Sequence, residues 1–266
     1  MRIVRFSPVT ADPSLELGKD PLFGLLNDDD TIAVLAGDPL FSGINATGKA
    51  VPLAQVRLLA PVLPRSKVIC VGKNYADHAK EMGSEVPTEP IIFLKPNTSV
   101  IGPGDTIVWP AMSERVDFEA ELAIVISRIC KDVPKERVND VIFGYTLAND
   151  VTARDLQSKD KQWTRAKGFD TFCPLGPWIE THFTPGDQLI TATLDGEIKQ
   201  SAPLSSMVFD IPTIINFVSQ VMTLLPGDVI LTGTPAGIGP MGERSTITVA
   251  IEGLGTLTNK VSNRAK

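Results

Sequence analysis

Carboxylates alternate with apolar residues in the segment VDFEAELAIVI, which begins at residue 116. In an extended strand this alternation places Asp117, Glu119 and Glu121 on one face. The same face continues as Ala123 and Val125, so the acidic positions run into a stretch that is apolar on both sides. Burying carboxylates that repel one another is costly unless a cation neutralises them. The segment therefore predicts a cation site, with a half-solvated edge strand as the alternative interpretation.

A further carboxylate, Asp150, ends the apolar run VIFGYTLAND. Thr152 and Asp155 fit the capping pattern T-x-x-D, so we expect a helix to begin at Thr152. That helix places Arg154 and Gln157 on one face, because they are three residues apart. Binding sites are often built at the ends of strands. Asp150 is therefore a candidate ligand, and the alternative is a surface turn in which Arg154 pairs with it.

Three carboxylates from two segments suit a hard cation that binds oxygen. With water and substrate as further ligands, Glu119, Glu121 and Asp150 favour Mg²⁺ or Mn²⁺ over zinc, and calcium normally takes more protein oxygens. The only histidines are His78 and His182, which excludes a site of three imidazoles. The three cysteines form no C-x-x-C pair, so neither a disulfide framework nor a thiolate zinc site is indicated.

His78 and Glu81 stand three residues apart in NYADHAKEM and share one face of a predicted helix. A carboxylate in that position orients an imidazole and favours its protonated form after proton uptake. Taken alone, the pair fits an exposed helix surface better than a catalytic site. Its interpretation depends on what else the chain brings nearby.

The glycines of GIGPMG spell G-x-G-x-x-G with Gly237, Gly239 and Gly242. A dinucleotide site needs a helix after this pattern, whereas the segment ERSTITVAI that follows is typical of a strand. Pro240 inside the pattern argues further against that site. We interpret the glycines as a loop that borders the active site.

Strand-like segments outnumber helical ones, without regular βαβ alternation. The predicted strands are Arg2 to Phe6, Phe23 to Leu26, Thr31 to Leu35, Lys67 to Val71, Pro90 to Leu94, Thr106 to Val108, Phe118 to Ser127, Val141 to Ala148, Leu189 to Leu194, Val229 to Leu231 and Thr246 to Ile251. The predicted helices are Tyr75 to Met82, Lys135 to Val138, Thr152 to Lys159 and Ile211 to Met222, the last capped by Asp210. We expect a mostly β fold with a few helices.

Two prolines in LLAPVLPRS, residues 58–66, predict a connection between two parts of the chain. The division gives a small β-rich N-terminal domain over residues 1–62 and a larger domain over residues 63–266. At 266 residues the chain can bury a sizeable core.

The composition excludes several classes of protein. With 43% hydrophobic and 21% charged residues the chain is typical of a folded protein. The net charge of −6 and the absence of a basic run argue against a nucleic-acid partner. No apolar stretch is long enough to span a bilayer, and Met1 to Thr10 lacks the apolar core of a signal peptide. We expect a soluble, cytoplasmic protein without a membrane partner.

Six motifs, in this order along the chain, resemble the fumarylacetoacetate hydrolase superfamily. They are CVGKNYADHAKEMG, FLKP, DFEAELAIVI, NDVTARDLQ, KGFDTFCPLGP and LTGTPAGIG. The resemblance covers about residue 67 to the end. The first sixty residues fall outside it, and similar small N-terminal domains occur in bacterial members. It implies a mixed β-sandwich roll and a homodimer.

The resemblance also implies a site. It makes Glu119, Glu121 and Asp150 the metal ligands, His78 and Glu81 a catalytic pair, and Lys167 a group that reaches the substrate. Arg154, Gln157 and Thr234 would bind the substrate carboxylate.

A carbon–carbon bond of a 2-oxo carboxylate bound to such a metal can be cleaved, with a metal-chelated pyruvate enolate as the intermediate. We therefore expect decarboxylation of oxaloacetate or hydrolysis of an acylpyruvate, with His78 as the base in the second case. The first alternative is the decarboxylation and isomerisation of muconate-like dicarboxylates. A catalytically silent binding protein would have lost site residues, and none of the named positions is broken. A carbohydrate-binding β-sandwich would need more aromatic residues than the 6% present.

Overall fold

The protein is described by a computed structural model over residues 1–9 and 20–264. Its strands are β1 Arg2–Pro8, β2 Leu22–Leu26, β3 Thr31–Leu35, β4 Ala46–Pro52, β5 Val56–Leu59, β6 Val68–Gly72, β7 Ile91–Lys95, β8 Val100–Ile101, β9 Thr106–Ile107, β10 Val116–Phe118, β11 Ala120–Ile126, β12 Ile142–Asn149, β13 Thr152–Ala153, β14 Cys173–Glu180, β15 Leu189–Leu194, β16 Glu197–Pro203, β17 Val229–Leu231, β18 Gly239–Pro240, β19 Thr246–Ile251 and β20 Gly255–Val261. Its helices are α1 Pro39–Ser42, α2 Ala76–Glu81, α3 Arg154–Asp160, α4 Thr164–Lys167 and α5 Ile211–Val221. Short 3₁₀ helices are Leu53–Gln55, Asn97–Ser99, Lys135–Asp140 and Leu204–Ser206.

Most strands join one large sheet. Twelve strands form it in the order β4-β3-β2-β1-β14-β12-β11-β17-β6-β7, with β5 paired to β1 and β8 to β14. A five-stranded sheet has the order β16-β15-β19-β20-β9, and a three-stranded sheet the order β13-β10-β18. The expected mostly β fold with a few helices is confirmed.

Strand β11 runs through the middle of the large sheet, between β12 and β17. All of its residues are buried, as its apolar sequence predicts. Leu122 and Ile124 contribute to the larger hydrophobic core, which includes Ile215 of α5. Ala123 and Val125 point to the opposite side, into a second core. A strand covered on both faces fixes the residues at its ends with little freedom.

The single strand predicted over Phe118 to Ser127 is wrong at one position. The strand is interrupted at Glu119, because β10, which precedes it, pairs with β13 and β18 in the three-stranded sheet and not with the large sheet. At the break the Glu119 amide donates to the side chain of Asn149 at 2.9 Å. The next amide, of Ala120, donates to the side chain of Gln200 at 3.0 Å. Side chains thus replace the ladder bonds that a continuous strand would make.

The predicted capping box at Thr152 is also wrong. Thr152 lies in β13, and its hydroxyl donates to the carbonyl of Asp150 at 2.9 Å and to Glu119 at 3.2 Å. The helix begins two residues later, and its cap residue, Ala153, offers no side-chain acceptor. Asp155 instead accepts bonds from a neighbouring loop. Thr152 is therefore bonded to the carboxylate site and does not cap the helix.

The N-terminal strands continue the large sheet. Arg2 pairs with Glu180 and Ile3 with Ile179, which joins β1 to β14. A separate small core packs within this part. The large sheet crosses the predicted boundary without interruption. The division into residues 1–62 and 63–266 stays a prediction. In the described part of the chain, no helix has the length and apolar character to cross a membrane.

Candidate metal centre and active site

The register of two neighbouring strands brings the predicted carboxylates together. Ala120, at the start of β11, pairs with Asn149 at the end of β12, and the Asp150 amide donates to the Glu119 carbonyl at 2.8 Å. One carboxylate oxygen from each of Glu119, Glu121 and Asp150 lies within 4.8 Å of the others. All three side chains are buried. The structure therefore places the predicted ligand set in one cluster.

Glu121 is held by the backbone that follows β17. The Gly233 amide donates to Oε2 of Glu121 at 2.6 Å. Gly233 has a φ of +96°, and a Cβ there would lie 2.6 Å from the Cβ of Asn74, so only glycine fits. The side chain of Asn74 joins the segment after β17 to the segment before α5, because it donates to the carbonyls of Thr232 and Phe209 at 2.7 and 3.0 Å. This explains why the first glycine of the motif LTGTPAGIG, Gly233, is a glycine.

Three cationic side chains surround the other two carboxylates. Lys167 donates to Glu119 and to Asp150, each at 2.7 Å. Arg154 donates to Glu119 at 2.6 Å, and Lys95 donates to Asp150 at 2.5 Å. Sequence reasoning assigned no role to Lys95, which is 1% exposed. The sequence feature that could have indicated a role for Lys95 is its position as the only charged residue of the apolar strand IIFLK, because a buried charge needs a partner.

The two glutamates differ in their electrostatic surroundings. Burial alone would raise the pKa of Glu119, but Lys167 and Arg154 outweigh burial and hold that pKa well below its usual value. Burial raises the pKa of Glu121, and the neighbouring Asp150 and Glu119 raise it further. Among the described residues, no cationic side chain forms an ion pair with Glu121. Glu121 is therefore the carboxylate of the cluster that no described cationic side chain pairs with.

This donor set fits a hard divalent cation. Three buried carboxylate oxygens within coordinating reach, one of them on a glutamate without a paired cation among the described residues, are a donor set that suits Mg²⁺ or Mn²⁺. The cluster contains no histidine or cysteine, so a softer metal is disfavoured. Glu119, Glu121 and Asp150 are the residues that would hold it.

The predicted histidine and glutamate pair lies on α2. Nδ1 of His78 lies 3.1 Å from Oε2 of Glu81, as the three-residue spacing predicts. The other oxygen of Glu81 accepts from the Gly237 amide at 3.0 Å. The glycine-rich loop thus fixes Glu81, which in turn orients the imidazole. With Nδ1 protonated toward Glu81, Nε2 keeps a lone pair for proton transfer.

A cavity of about 190 Å³ lies beside the carboxylates. Its lining includes the predicted residues His78, Glu119, Glu121, Asp150, Arg154, Gln157, Lys167 and Thr234. Glu81 does not line it and contacts His78, which does. Val71, Met82, Phe93 and Trp163 form the apolar part of the wall. A cavity of this size suits a small substrate, because sites for drug-sized ligands are usually larger.

Arg154 links several polar groups at one end of the cavity. It donates to Asp117 at 2.9 Å and to Gln157 at 2.6 Å, besides its bond to Glu119. The expectation that Arg154 and Gln157 share a helix face is confirmed. Asp117 is buried behind Arg154, where Arg115 also binds it at 2.8 Å. It is not part of the cluster, although its strand position matched the other acids.

Thr234 is positioned by a residue that sequence reasoning missed. Gln200 is completely buried and donates to the Thr234 hydroxyl at 2.8 Å and to the Pro235 carbonyl at 2.7 Å. Because the Thr234 oxygen accepts that bond, its own hydrogen is free to point into the cavity. Gln200 lies in the polar strand EIKQSAP, which gave no signal of burial.

Comparison with known proteins identifies the family. Residues 67–262 match the family described as fumarylacetoacetate (FAA) hydrolase, C-terminal, and residues 1–61 match the one described as Rv2993c-like, N-terminal. The chain belongs to the fumarylacetoacetate hydrolase superfamily and is an enzyme of that group.

Two curated relatives illustrate the similarity. The chain is 56% identical over 233 residues to protein Rv2993c of Mycobacterium tuberculosis, covering 86% of each. It is 45% identical over 222 residues to the mitochondrial oxaloacetate tautomerase Fahd2a of Rattus norvegicus, covering 79% of this chain and 71% of that protein.

Two solved structures are similar over almost the whole chain. The 5-carboxymethyl-2-hydroxymuconate delta-isomerase of Mycobacterium smegmatis has 48% identity and a TM-score of 0.90, covering 99% of this chain and 100% of that one. The maleylpyruvate hydrolase of Sphingobium sp. SYK-6, in complex with manganese(II) and pyruvate, has 30% identity and a TM-score of 0.80, covering 100% of both.

Proposed function

We propose that the protein is a divalent-metal-dependent enzyme that forms and protonates the enolate of a small 2-oxo carboxylate, with keto–enol tautomerisation of oxaloacetate as its first candidate reaction. One observation carries the proposal: a three-carboxylate cation site and a histidine oriented by a glutamate face the same small cavity. The 45% identity to a protein named oxaloacetate tautomerase supports this choice of reaction.

The cation would be Mg²⁺ or Mn²⁺, held by Glu119, Glu121 and Asp150. When bound there, it polarises a 2-oxo group and stabilises negative charge on the oxygen. The manganese in the maleylpyruvate hydrolase structure supports this proposal.

The side chains of the cavity divide the remaining tasks. His78 would exchange the proton at the carbon beside the 2-oxo group, and Glu81 would hold its ring in position. The Lys167 ammonium uses two of its three donors on Glu119 and Asp150, so the third is available to a substrate oxygen. Its pKa is raised because those two carboxylates outweigh the effect of burial, and it therefore stays cationic. Thr234 would donate to the substrate carboxylate.

Cleavage of a carbon–carbon bond is the second candidate. Decarboxylation of oxaloacetate, or hydrolysis of an acylpyruvate with His78 activating water, uses the same groups and passes through a related enolate. The pyruvate in the maleylpyruvate hydrolase structure supports it. Isomerisation of a muconate-like dicarboxylate is a further proton transfer of the same kind, which the isomerase structure supports.

Side-by-side assays separate these reactions. The enol form of oxaloacetate, oxaloacetate itself and acetylpyruvate are each followed with Mg²⁺, with Mn²⁺ and with chelator, after subtracting the rate with metal alone. If the enol disappears faster with the protein than with metal alone and no pyruvate is released, the protein is a tautomerase. Release of pyruvate indicates cleavage. The exposed Glu197→Gln variant is the control and should match the parent protein. Equal rates with and without the protein for all three substrates would refute the proposal.

The homodimer also stays a proposal, drawn from the family. Light scattering during size-exclusion chromatography measures the mass directly, and a single peak near 28.6 kDa, the mass of one chain, would contradict it.

A further inference from the structure

The cavity is lined by one lysine that no carboxylate pairs with in the described part of the chain. Lys73 follows β6, is half-buried and contributes to the cavity wall. No ion pair or hydrogen bond of its ammonium group occurs within residues 1–9 and 20–264. A solvated lysine on a protein surface is common, but here the charge borders a cavity whose carboxylates are buried.

The other cations of the cavity are already engaged. Lys167 binds Glu119 and Asp150, and Arg154 binds Glu119 and Asp117. These cations balance carboxylates of the protein itself. Lys73 has no such partner among residues 1–9 and 20–264, and its charge is available there to an anion that enters from outside.

The backbone at Lys73 is held in an unusual conformation. Its φ of +59° lies in the left-handed region, which a lysine adopts rarely and which often marks functional sites. On one side a Cβ at Gly72 would lie 2.8 Å from the ring of Trp163, so the indole packs directly on this backbone. On the other side Asn74 accepts from the Phe209 amide at 2.7 Å and donates to the Thr232 carbonyl. The point from which the Lys73 side chain leaves is therefore fixed relative to the cavity.

We propose that Lys73 binds a second, distal acidic group of the substrate, so that the enzyme acts on 2-oxo dicarboxylates in preference to 2-oxo monocarboxylates. This inference rests on the proposed function. A second substrate carboxylate in this cavity lies near Glu119, Glu121 and Asp150, and a cation that is not already paired with a protein carboxylate offsets the repulsion between them. A half-buried ammonium binds a carboxylate more strongly than an exposed one does, because solvent screens it less.

Oxaloacetate and pyruvate provide a matched pair of probes, because they differ only in the distal carboxylate. Their dissociation constants are measured calorimetrically with Mn²⁺ present, on the parent protein and on the Lys73→Gln and Lys73→Arg variants. Oxaloacetate is used at its tautomeric equilibrium. Glutamine removes the charge at similar length, and arginine keeps it, while both are non-glycine residues that meet the same backbone cost at the positive φ of position 73.

We expect Lys73→Gln to weaken oxaloacetate about tenfold or more, a loss typical of one charge-assisted bond, and to leave pyruvate within about twofold. Lys73→Arg should keep most of the preference. Turnover of oxaloacetate should show the same pattern in KM, with kcat nearly unchanged.

Three outcomes would overturn the inference. In the first, Lys73→Gln binds oxaloacetate as the parent does. In the second, it weakens both probes equally. In the third, the parent shows no preference for oxaloacetate over pyruvate while still turning over 2-oxo monocarboxylates; the proposed function then survives and the role of Lys73 does not. If the parent binds neither probe with metal present, the proposed function fails as well.

Discussion

Asp228 and Glu121 are buried carboxylates at opposite ends of the same pair of strands, β17 and β11, and their surroundings differ. Asp228 is bound by the Lys67 ammonium at 2.5 Å, by the Lys67 amide at 3.2 Å and by the Leu225 amide at 2.9 Å. Glu121 has one amide, from Gly233, and two carboxylates beside it. Among the described residues, a cationic side chain pairs with Asp228 and none pairs with Glu121.

The difference separates structural from functional burial of charge. A buried carboxylate that finds a cation and amides within the chain fixes the fold, as Asp228 fixes the start of β17. A buried carboxylate without a paired cation, beside a cavity, is a candidate for a ligand from outside the chain. Under the proposed function, Glu121 with its neighbours Glu119 and Asp150 is a site of this second kind. Changes at the two sites should therefore affect different measurements.

The largest effect is expected from Glu119→Ala. The change removes one proposed metal ligand and leaves Lys167 and Arg154 without their shared partner. We expect metal-dependent turnover to fall at least about a hundredfold, since even partners of metal ligands cost about ten- to a hundredfold. Steady-state rates over a range of Mn²⁺ concentrations measure it. Full metal-dependent turnover in this variant would show that the ligand assignment is wrong.

His78→Gln should separate proton transfer from metal binding. The imidazole is the group proposed to exchange the proton, and it is not part of the carboxylate cluster. We expect kcat to fall by about 10² to 10⁴ and the Mn²⁺ dissociation constant to change by less than about twofold. Glu81→Gln serves as the companion variant with a smaller loss. If His78→Gln weakened Mn²⁺ as much as Glu119→Ala did, the proposed division of roles would not hold.

Asp228→Asn should act on stability alone. It removes the charge that pairs with Lys67, whose side chain is 15% exposed, so we expect the free energy of unfolding to fall by about 2 kcal/mol, less than for a fully buried pair. Urea unfolding measures the loss, and turnover per folded molecule should be unchanged. The matched variant Glu121→Gln, without metal, should be no less stable than the parent, because it removes repulsion from Glu119 and Asp150. A loss of stability in both variants would mean that the two carboxylate sites do not differ.

The smallest effect is expected from Thr234→Val. The change removes the hydroxyl that accepts from the buried Gln200 side chain at little cost in shape, and Gln200 keeps its bonds to the Ala120 amide and the Pro235 carbonyl. We expect KM to rise about fivefold, equivalent to about 1 kcal/mol, with the Mn²⁺ affinity retained. Thr234→Ser keeps the hydroxyl and should match the parent within about twofold. An equal rise in both variants would indicate that the hydroxyl does not bind the substrate.

Much of the site could be predicted from local sequence. Alternation placed Glu119 and Glu121 on one face, the end of an apolar strand marked Asp150, and helical spacing paired His78 with Glu81. These patterns need only the periodicity of one element each. Strands with strong alternation, such as Leu189–Leu194 and Thr246–Ile251, were predicted at their observed bounds.

What could not be predicted depends on contacts far apart in the chain. Lys95 meets Asp150 and Gln200 meets Thr234 only through the sheet arrangement. The break at Glu119 was missed because side chains, not strand pairing, satisfy the backbone there. The capping box at Thr152 was wrong because Glu119 and the Asp150 carbonyl compete for its hydroxyl. Tertiary hydrogen bonds outweighed the local pattern in both cases.

The most direct test of the account is a calorimetric titration of Mn²⁺ into the chelator-treated parent protein and into Glu121→Gln and Asp228→Asn. We predict that the parent and Asp228→Asn bind one Mn²⁺ per chain with similar affinity, and that Glu121→Gln binds at least about a hundredfold more weakly. Equal binding by Glu121→Gln, or no binding by the parent, would contradict the claim that these carboxylates form a metal centre.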